Sequence, residues 1–366
     1  MPRRTATLLA ATLTLMVMVF VLALAPSPYA EMSPGPTVNT LGDHDGEPVL
    51  RIEGRKTYPA TGNLNMTTVR VTGADYRMSF VEAVAGWLSG NDAVVPHDTL
   101  YPQDKTAEEV DQENAEEFTA SQESAKVAAL RELDIPVRSW VIVRTVVKDS
   151  PAEGELHAGD AIVAVDGTPV AEPGDVAKLV TQHKPGEETT FSVIPAKRAQ
   201  AAKKAGKKPS GRAEDVTITT MKAPDDPRRA MVGIQAGSDH AFPFEIDIKL
   251  ADVGGPSAGL MFSLGIVDKL TKGSLTGGKF VAGTGTIDDG GHVGPIGGVG
   301  LKTIGARQQG AEFFLTPKEN CATAAADPPE GLTLVEVATI DDALDALTDI
   351  REGDTDQLKT CRAAKS

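Results

Sequence analysis

Gly254-Gly255-Pro256-Ser257-Ala258-Gly259 is followed by Leu260, Met261, Leu264, Val267 and Leu270, apolar residues at helical spacing. Before this run, residues 244–250 alternate as a half-buried strand, so Ser257 falls on a strand–loop–helix junction. Backbone N–H groups at a helix start lack partners within the helix and carry a positive potential. Glycines beside them let a second backbone come close. Such a junction can hold an oxyanion, with the amides of Gly255 and Ala258 as the candidate donors. A serine hydroxyl is still a weak nucleophile until a base takes its proton.

Two bases compete. Gly255-x-Ser257-x-Gly259 has the form of a nucleophile elbow, which needs an acid and then a histidine later in the chain. His292 is the only histidine after Ser257, and Asp268, Asp288 and Asp289 are the only aspartates between them. The chain that remains is short for such a triad. The preceding strand also carries Glu245, Asp247 and Lys249 in place of a buried apolar run. His292 and His240 therefore read as surface residues, and Asp288-Asp289 as a solvated hairpin tip. The other base is a lysine. Residues 299–309 read as a helix ending at Gly310, with Lys302 in its first turns beside Ile304, Gly305 and Ala306. Neutralising a lysine at pH 7 costs about 4.6 kcal/mol from its ordinary pKa. Burial among small apolar residues lowers that cost.

Gly255-Pro256-Ser257-Ala258-Gly259, Thr284-Gly285, and Pro295-Ile296-Gly297-Gly298 with Lys302 four residues on resemble, in order and spacing, the proteolytic domain of Lon proteases. The resemblance covers residues 229–350. It implies that Ser257 is the nucleophile, Lys302 the general base, and Thr284 a residue that holds the lysine. It also implies protein or peptide substrates and a ring-like homo-oligomer; no cofactor is expected, and no metal, since no histidine lies near Cys321 or Cys361. Two departures stand out. No Gly-x4-Gly-Lys-Ser/Thr loop occurs, so ATP is not an expected partner. Gly254 occupies the place of an acidic residue three positions before the serine, with Asp252 as a partial replacement.

Upstream, residues 7–25 form an uncharged run of Leu, Val, Met, Ala and Thr preceded by Arg3 and Arg4. As a helix the run spans about 28 Å, close to the hydrocarbon thickness of a bilayer. The arginines favour a cytoplasmic amino end, which places the body of the chain outside. A cleaved signal peptide is the alternative; Ala23-Leu24-Ala25 has the form of a cleavage site, against which Pro26 argues. Export gives Cys321 and Cys361 an oxidising surrounding, so one disulfide is expected between them. The net charge of −15 excludes nucleic acid as the main partner.

Between anchor and peptidase, residues 31–119 read as a scaffold with no chemistry of its own. A polar stretch, 105–133, reads as one exposed helix or two. Ser150-Pro151-Ala152, then Leu156-His157-Ala158-Gly159-Asp160-Ala161-Ile162, then Val165-Asp166-Gly167 resemble the central signature of bacterial PDZ domains. That resemblance implies a β-rich domain that captures an extended peptide as an added strand. The expected groove runs beside Ser139, Trp140, Val141 and Ile142. Within it, 197–212 is basic and Ala- and Gly-rich, and reads as a solvated loop.

The expected fold is therefore mixed α/β (α+β). Its parts are a start and membrane anchor (1–30), a scaffold region (31–119), a PDZ domain (120–222), a proteolytic domain (229–350) and a tail (351–366). The expected activity is that of an ATP-independent serine endopeptidase in the cell membrane, acting outside the cytoplasm on unfolded or loose exported and membrane proteins. The competing reading is an inactive scaffold whose PDZ domain binds protein tails.

Overall fold

The computed structural model describes residues 3–250 and 253–363. The chain divides into two compact units, Met1–Leu133 with Ile246–Ser366, and Asp134–Glu245. The second is an insertion in the first.

The first unit begins with helix α1 (Arg3–Leu24), whose segment Arg4–Leu22 is long and apolar enough to cross a membrane. Strands β1 (Tyr29–Asn39) and β2 (Asn63–Val71) then pair antiparallel, with an irregularity between Pro34 and Thr37. Helix α2 (Phe80–Ser89) starts at a reciprocal cap, in which Ser79 and Glu82 each accept the other's backbone N–H. It stops at Gly90, which takes the left-handed conformation. Strand β3 (Ala93–Pro96) returns antiparallel to β1. Helix α3 (Ala107–Glu132) carries the same type of cap at Thr106 and Glu109. It is one helix, and its second half is not exposed: Phe118, Ser121, Ala125 and Val127 to Leu130 are buried. The polar average of the segment conceals an apolar stripe confined to its later turns.

The inserted unit is built on a sheet of order β7-β6-β5-β4-β8. Its strands are β4 (Arg138–Val146), β5 (Ala161–Val165), β6 (Glu188–Ile194), β7 (Glu214–Thr219) and β8 (Ile234–Ala241). Its core packs Val141, Val143, Ile162, Val165 and Phe191 against Val176 and Val180 of helix α4 (Pro173–Val180). The unit extends beyond residue 222, because β8 pairs with the whole length of β4. The basic stretch is also more ordered than its composition implies. Helix α5 (Ala196–Lys204) buries Ala199, and Lys203 Nζ meets Asp239 at 2.6 Å.

The chain then returns to the first unit with helix α6 (Gly259–Leu270), β9 (Phe280–Gly283), helix α7 (Val299–Gln308), β10 (Phe313–Pro317), β11 (Thr333–Val337) and helix α8 (Ile340–Glu352). These strands complete a six-stranded sheet of order β11-β10-β9-β2-β1-β3. The segment read as a separate scaffold thus supplies half of this sheet. The reason is physical: β9 is short and buried, and an unpaired edge at its centre would leave backbone groups unsatisfied. β2 satisfies them in parallel register, from Phe280 opposite Asn63 to Gly283 opposite Met66.

Strand alternation puts the two site-bearing helices on opposite faces. Ala282 and Phe314 pack with Val299 and Ala306 of α7. Gly283 faces α6, where a Cβ would lie 2.7 Å from the Met261 sulfur.

Past α8 the chain is tied down. Glu336 N–H donates to the Lys359 carbonyl at 2.7 Å, Cys361 N–H to the Leu334 carbonyl at 3.0 Å, and Cys361 is bonded to Cys321. With the cysteines 40 positions apart, loop-closure entropy sets the contribution at about 4 kcal/mol. The pair Cys321→Ala and Cys361→Ala should lose that amount, read as a lower urea midpoint with a steeper slope, since the uncrosslinked unfolded chain exposes more surface; an unchanged midpoint would show that the crosslink is idle.

Candidate active site

Ser257 and Lys302 meet just past the carboxyl end of β9. Lys302 lies in the first turn of α7, where its N–H donates to the Gly298 carbonyl at 3.1 Å. Its side chain rounds the end of the sheet to reach the start of α6. There Lys302 Nζ lies 2.6 Å from Ser257 Oγ and 3.1 Å from Thr284 Oγ1. The Thr284 hydroxyl donates in turn to the Ser257 carbonyl at 3.0 Å. The Gly285 N–H donates to the same carbonyl at 2.9 Å, and Leu260 N–H donates to the Gly285 carbonyl at 3.1 Å. The strand end and the helix start are thereby locked together around the serine.

Lys302 is 3% exposed, and Thr284 is wholly buried. Burial lowers the Lys302 pKa from its ordinary value to about 8. Among the described residues no carboxylate pairs with this amine to hold it charged.

The loop before α6 is fixed from outside by α3. Asn114 accepts the Gly255 N–H at 2.9 Å through its backbone carbonyl, and Ser121 Oγ donates to the Pro256 carbonyl at 2.8 Å. Contact is close enough to dictate residue type. A Cβ at Gly254 would lie 3.0 Å from Asn114 Cβ, and one at Gly259 2.8 Å from Ser121 Oγ. A side chain at position 254 would require Asn114 to give by a few tenths of an ångström, and the Asp252 offered as a replacement for the acid lies outside the described residues. Nothing in the sequence of α3 marks Asn114 or Ser121 as site residues; only folding brings them there.

Of the two expected oxyanion amides, Gly255 is corrected: its N–H already serves Asn114. Ala258 is the residue preceding helix α6. Among the described residues, neither its N–H nor that of Ser257 is paired with a backbone carbonyl.

A cleft of about 530 Å³ opens beside the serine, between Val253 to Ala258 and the β2 residues Met66 to Val71. β9 stops opposite Met66, so the backbone of β2 runs on past it along the cleft.

The remaining expectations fall outside this cluster. His292 sits in a hairpin with its Nδ1 3.0 Å from Asp288 Oδ2. Asp289 is not a free tip: it accepts from Ser124 Oγ at 3.1 Å, and its carbonyl accepts from Arg131 at 2.6 Å. His240 is buried, 3.0 Å from the Ser139 hydroxyl. Ser139, Trp140, Val141 and Ile142 do not border an open groove. Their strand is flanked by β8, with Trp140 opposite Asp239, and by β5, with Val141 opposite Ile162. The open edge lies one strand further, on β8, against which α4 packs.

Comparison with known proteins finds two family matches in this chain. The family model of the Lon protease (S16) C-terminal proteolytic domain matches residues 250–349, and that of the PDZ domain matches residues 119–203. Over 93 residues the chain is 40% identical to a Lon protease of Azospirillum brasilense, covering 25% of this chain and 11% of that protein. Over 95 residues it is 36% identical to Lon protease 2 of Bacillus subtilis, covering 26% of this chain and 17% of that one. The chain thus spans less than a fifth of the length of these relatives. A solved PDZ domain from an SdrC-like protein of Listeria innocua is 24% identical, with 26% of this chain and 90% of that chain covered and a TM-score of 0.20. Residues 250–349, which hold Ser257 and Lys302, accordingly carry a proteolytic domain of the Lon (S16) type, and residues 119–203 carry a PDZ domain.

Proposed function

We propose that this chain is a membrane-anchored serine endopeptidase that cleaves loose segments of exported or membrane proteins without ATP. The observation that carries the reading is the 2.6 Å approach of Lys302 Nζ to Ser257 Oγ in a buried setting. With a pKa of about 8, about a tenth of the amine is neutral at pH 7, at a cost of about 1.4 kcal/mol in place of 4.6. The neutral Nζ accepts the serine proton through its lone pair while one of its N–H groups stays on Thr284 Oγ1. Ser257 Oγ then attacks the peptide carbonyl, and the oxyanion that forms turns toward the N–H groups of Ser257 and Ala258 at the start of α6. The lysine ammonium gives its proton to the departing amine as the C–N bond breaks. Water, deprotonated by the same lysine, then hydrolyses the acyl-enzyme.

The stretch of β2 from Thr67 to Val71 offers backbone donors and acceptors along the cleft. An extended segment can pair there as an added strand, which selects for chain that is not already folded. In the PDZ unit, the edge of β8 beside α4 offers a second place for strand addition. Arg3 and Arg4 ahead of the apolar helix, together with the Cys321–Cys361 bond, support an extracytoplasmic body.

Cleavage of an unfolded protein by the full chain, without nucleotide, should be lost in Ser257→Ala and fall by about 10²- to 10⁴-fold in Lys302→Ala. Because the neutral amine is the active form, kcat/KM should rise through about pH 8 and then level. Thr284→Val should displace that rise, as the hydroxyl facing Nζ is removed. Turnover that persists in both dyad variants, or a rate flat from pH 6 to 10, would overturn the mechanism.

A stability measurement tests the buried amine independently of turnover. The native pKa of Lys302 is depressed below its ordinary value of 10.5. The native state therefore binds fewer protons than the unfolded state between about pH 8 and 10.5, and its penalty is complete below about pH 8. At pH 7 that penalty is about 3 kcal/mol. Lys302→Met should therefore raise the urea midpoint at pH 7, with the advantage shrinking as pH climbs from 8 to 10.5.

A further inference from the structure

Helix α2 faces the wrong way for a helix in water. Its buried positions are Ala83 and Gly86, while Phe80, Val81, Val84, Trp87 and Leu88 are exposed, Trp87 by 75% and Leu88 by 70%. Those five positions follow i, i+1, i+4, i+7 and i+8, so they form one continuous apolar stripe. The helix cannot roll to hide it. A Cβ at Gly86 would stand 3.0 Å from Val94 Cγ2 and 3.1 Å from Glu31 Oε2, so the inner face is already in close contact at this position. The Glu82 carboxylate is engaged by the Ser79 N–H and by the Tyr76 hydroxyl, at 2.7 and 2.8 Å.

The position of the stripe names its occupant. Phe80 N–H donates to the Ala25 carbonyl at 3.2 Å, and Ser27 N–H to the Met78 carbonyl at 2.7 Å. Pro26 bridges to Ser79. Ala25 directly follows α1, so the stripe begins where the apolar helix ends. We infer that α2 is a second membrane contact, lying in the interfacial layer of the bilayer with Phe80, Val84, Trp87 and Leu88 inserted among the lipid chains. Tryptophan at that depth has its indole N–H in the headgroups and its ring in hydrocarbon. A helix of this length binds a membrane weakly alone, but α1 makes the second contact intramolecular. Two contacts fix the orientation of the proteolytic unit against the membrane, where a single spanning helix leaves it free to swivel. The inference does not depend on catalysis; it rests on residues 3–24 being an anchor.

The chain has two tryptophans, and Trp140 is buried, so Trp87 reports on its own surroundings. The full chain is reconstituted into phosphatidylcholine–phosphatidylglycerol vesicles, and flotation first confirms that the anchor holds. Emission is then compared between ordinary and brominated phospholipids, with Trp87→Phe giving the Trp140 background. The expected result is a blue-shifted Trp87 that loses about half of its emission to lipids brominated near the headgroup and is shielded from aqueous iodide. Quenching by iodide with no effect of bromine overturns the inference in favour of water. Shielding from both quenchers overturns it in favour of a protein contact, such as a second copy of the chain.

Discussion

A lysine amine shut away from water against a serine hydroxyl is the constraint around which the proteolytic unit is arranged. Buried at 3% exposure, Lys302 costs stability that a packed apolar side chain would not, and its pKa near 8 is the chemical counterpart of that cost. Holding it there takes two helices from opposite faces of one sheet. They can meet only beyond a strand end, which is why the dyad sits at the carboxyl end of β9, the usual place for sites in open α/β sheets. Thr284, the first residue past that strand, faces the amine with its oxygen and the serine carbonyl with its proton.

The serine side of the pair depends on α3. Asn114 and Ser121 bind consecutive parts of the loop through a carbonyl and a hydroxyl, and two glycines admit the helix at contact distance. With Gly254 in place of an acid, the loop is shaped by a neighbouring backbone rather than by a side-chain charge.

Much of this was legible in the sequence. Ser257, Lys302 and Thr284 stood in three short blocks whose spacing carried the resemblance, and the geometry brings all three together. The turn elements of the PDZ unit were equally plain, since each rests on local Gly, Pro and Asp chemistry. What stayed hidden was non-local. That β2 pairs with β9 across more than two hundred residues is decided by which edges remain unsatisfied, and no periodicity in either strand records it. Likewise β8 lies outside the PDZ signature, yet it covers the edge of β4 where the groove was expected. The buried stripe of α3 was masked by the glutamates that precede it, and the helix within the basic stretch by its lysines.

The insertion of one unit within the other also sets an order of events at birth. β1, β2 and α3 are made before residue 134, whereas β9, β10, β11 and both dyad residues come after residue 246. The PDZ unit is continuous and can close as soon as it emerges. The sheet behind the dyad cannot, because its central parallel pair joins the early half to the late half. A chain made only as far as residue 245 therefore has a complete PDZ unit and no dyad, because Ser257, Lys302 and the strands behind them come later.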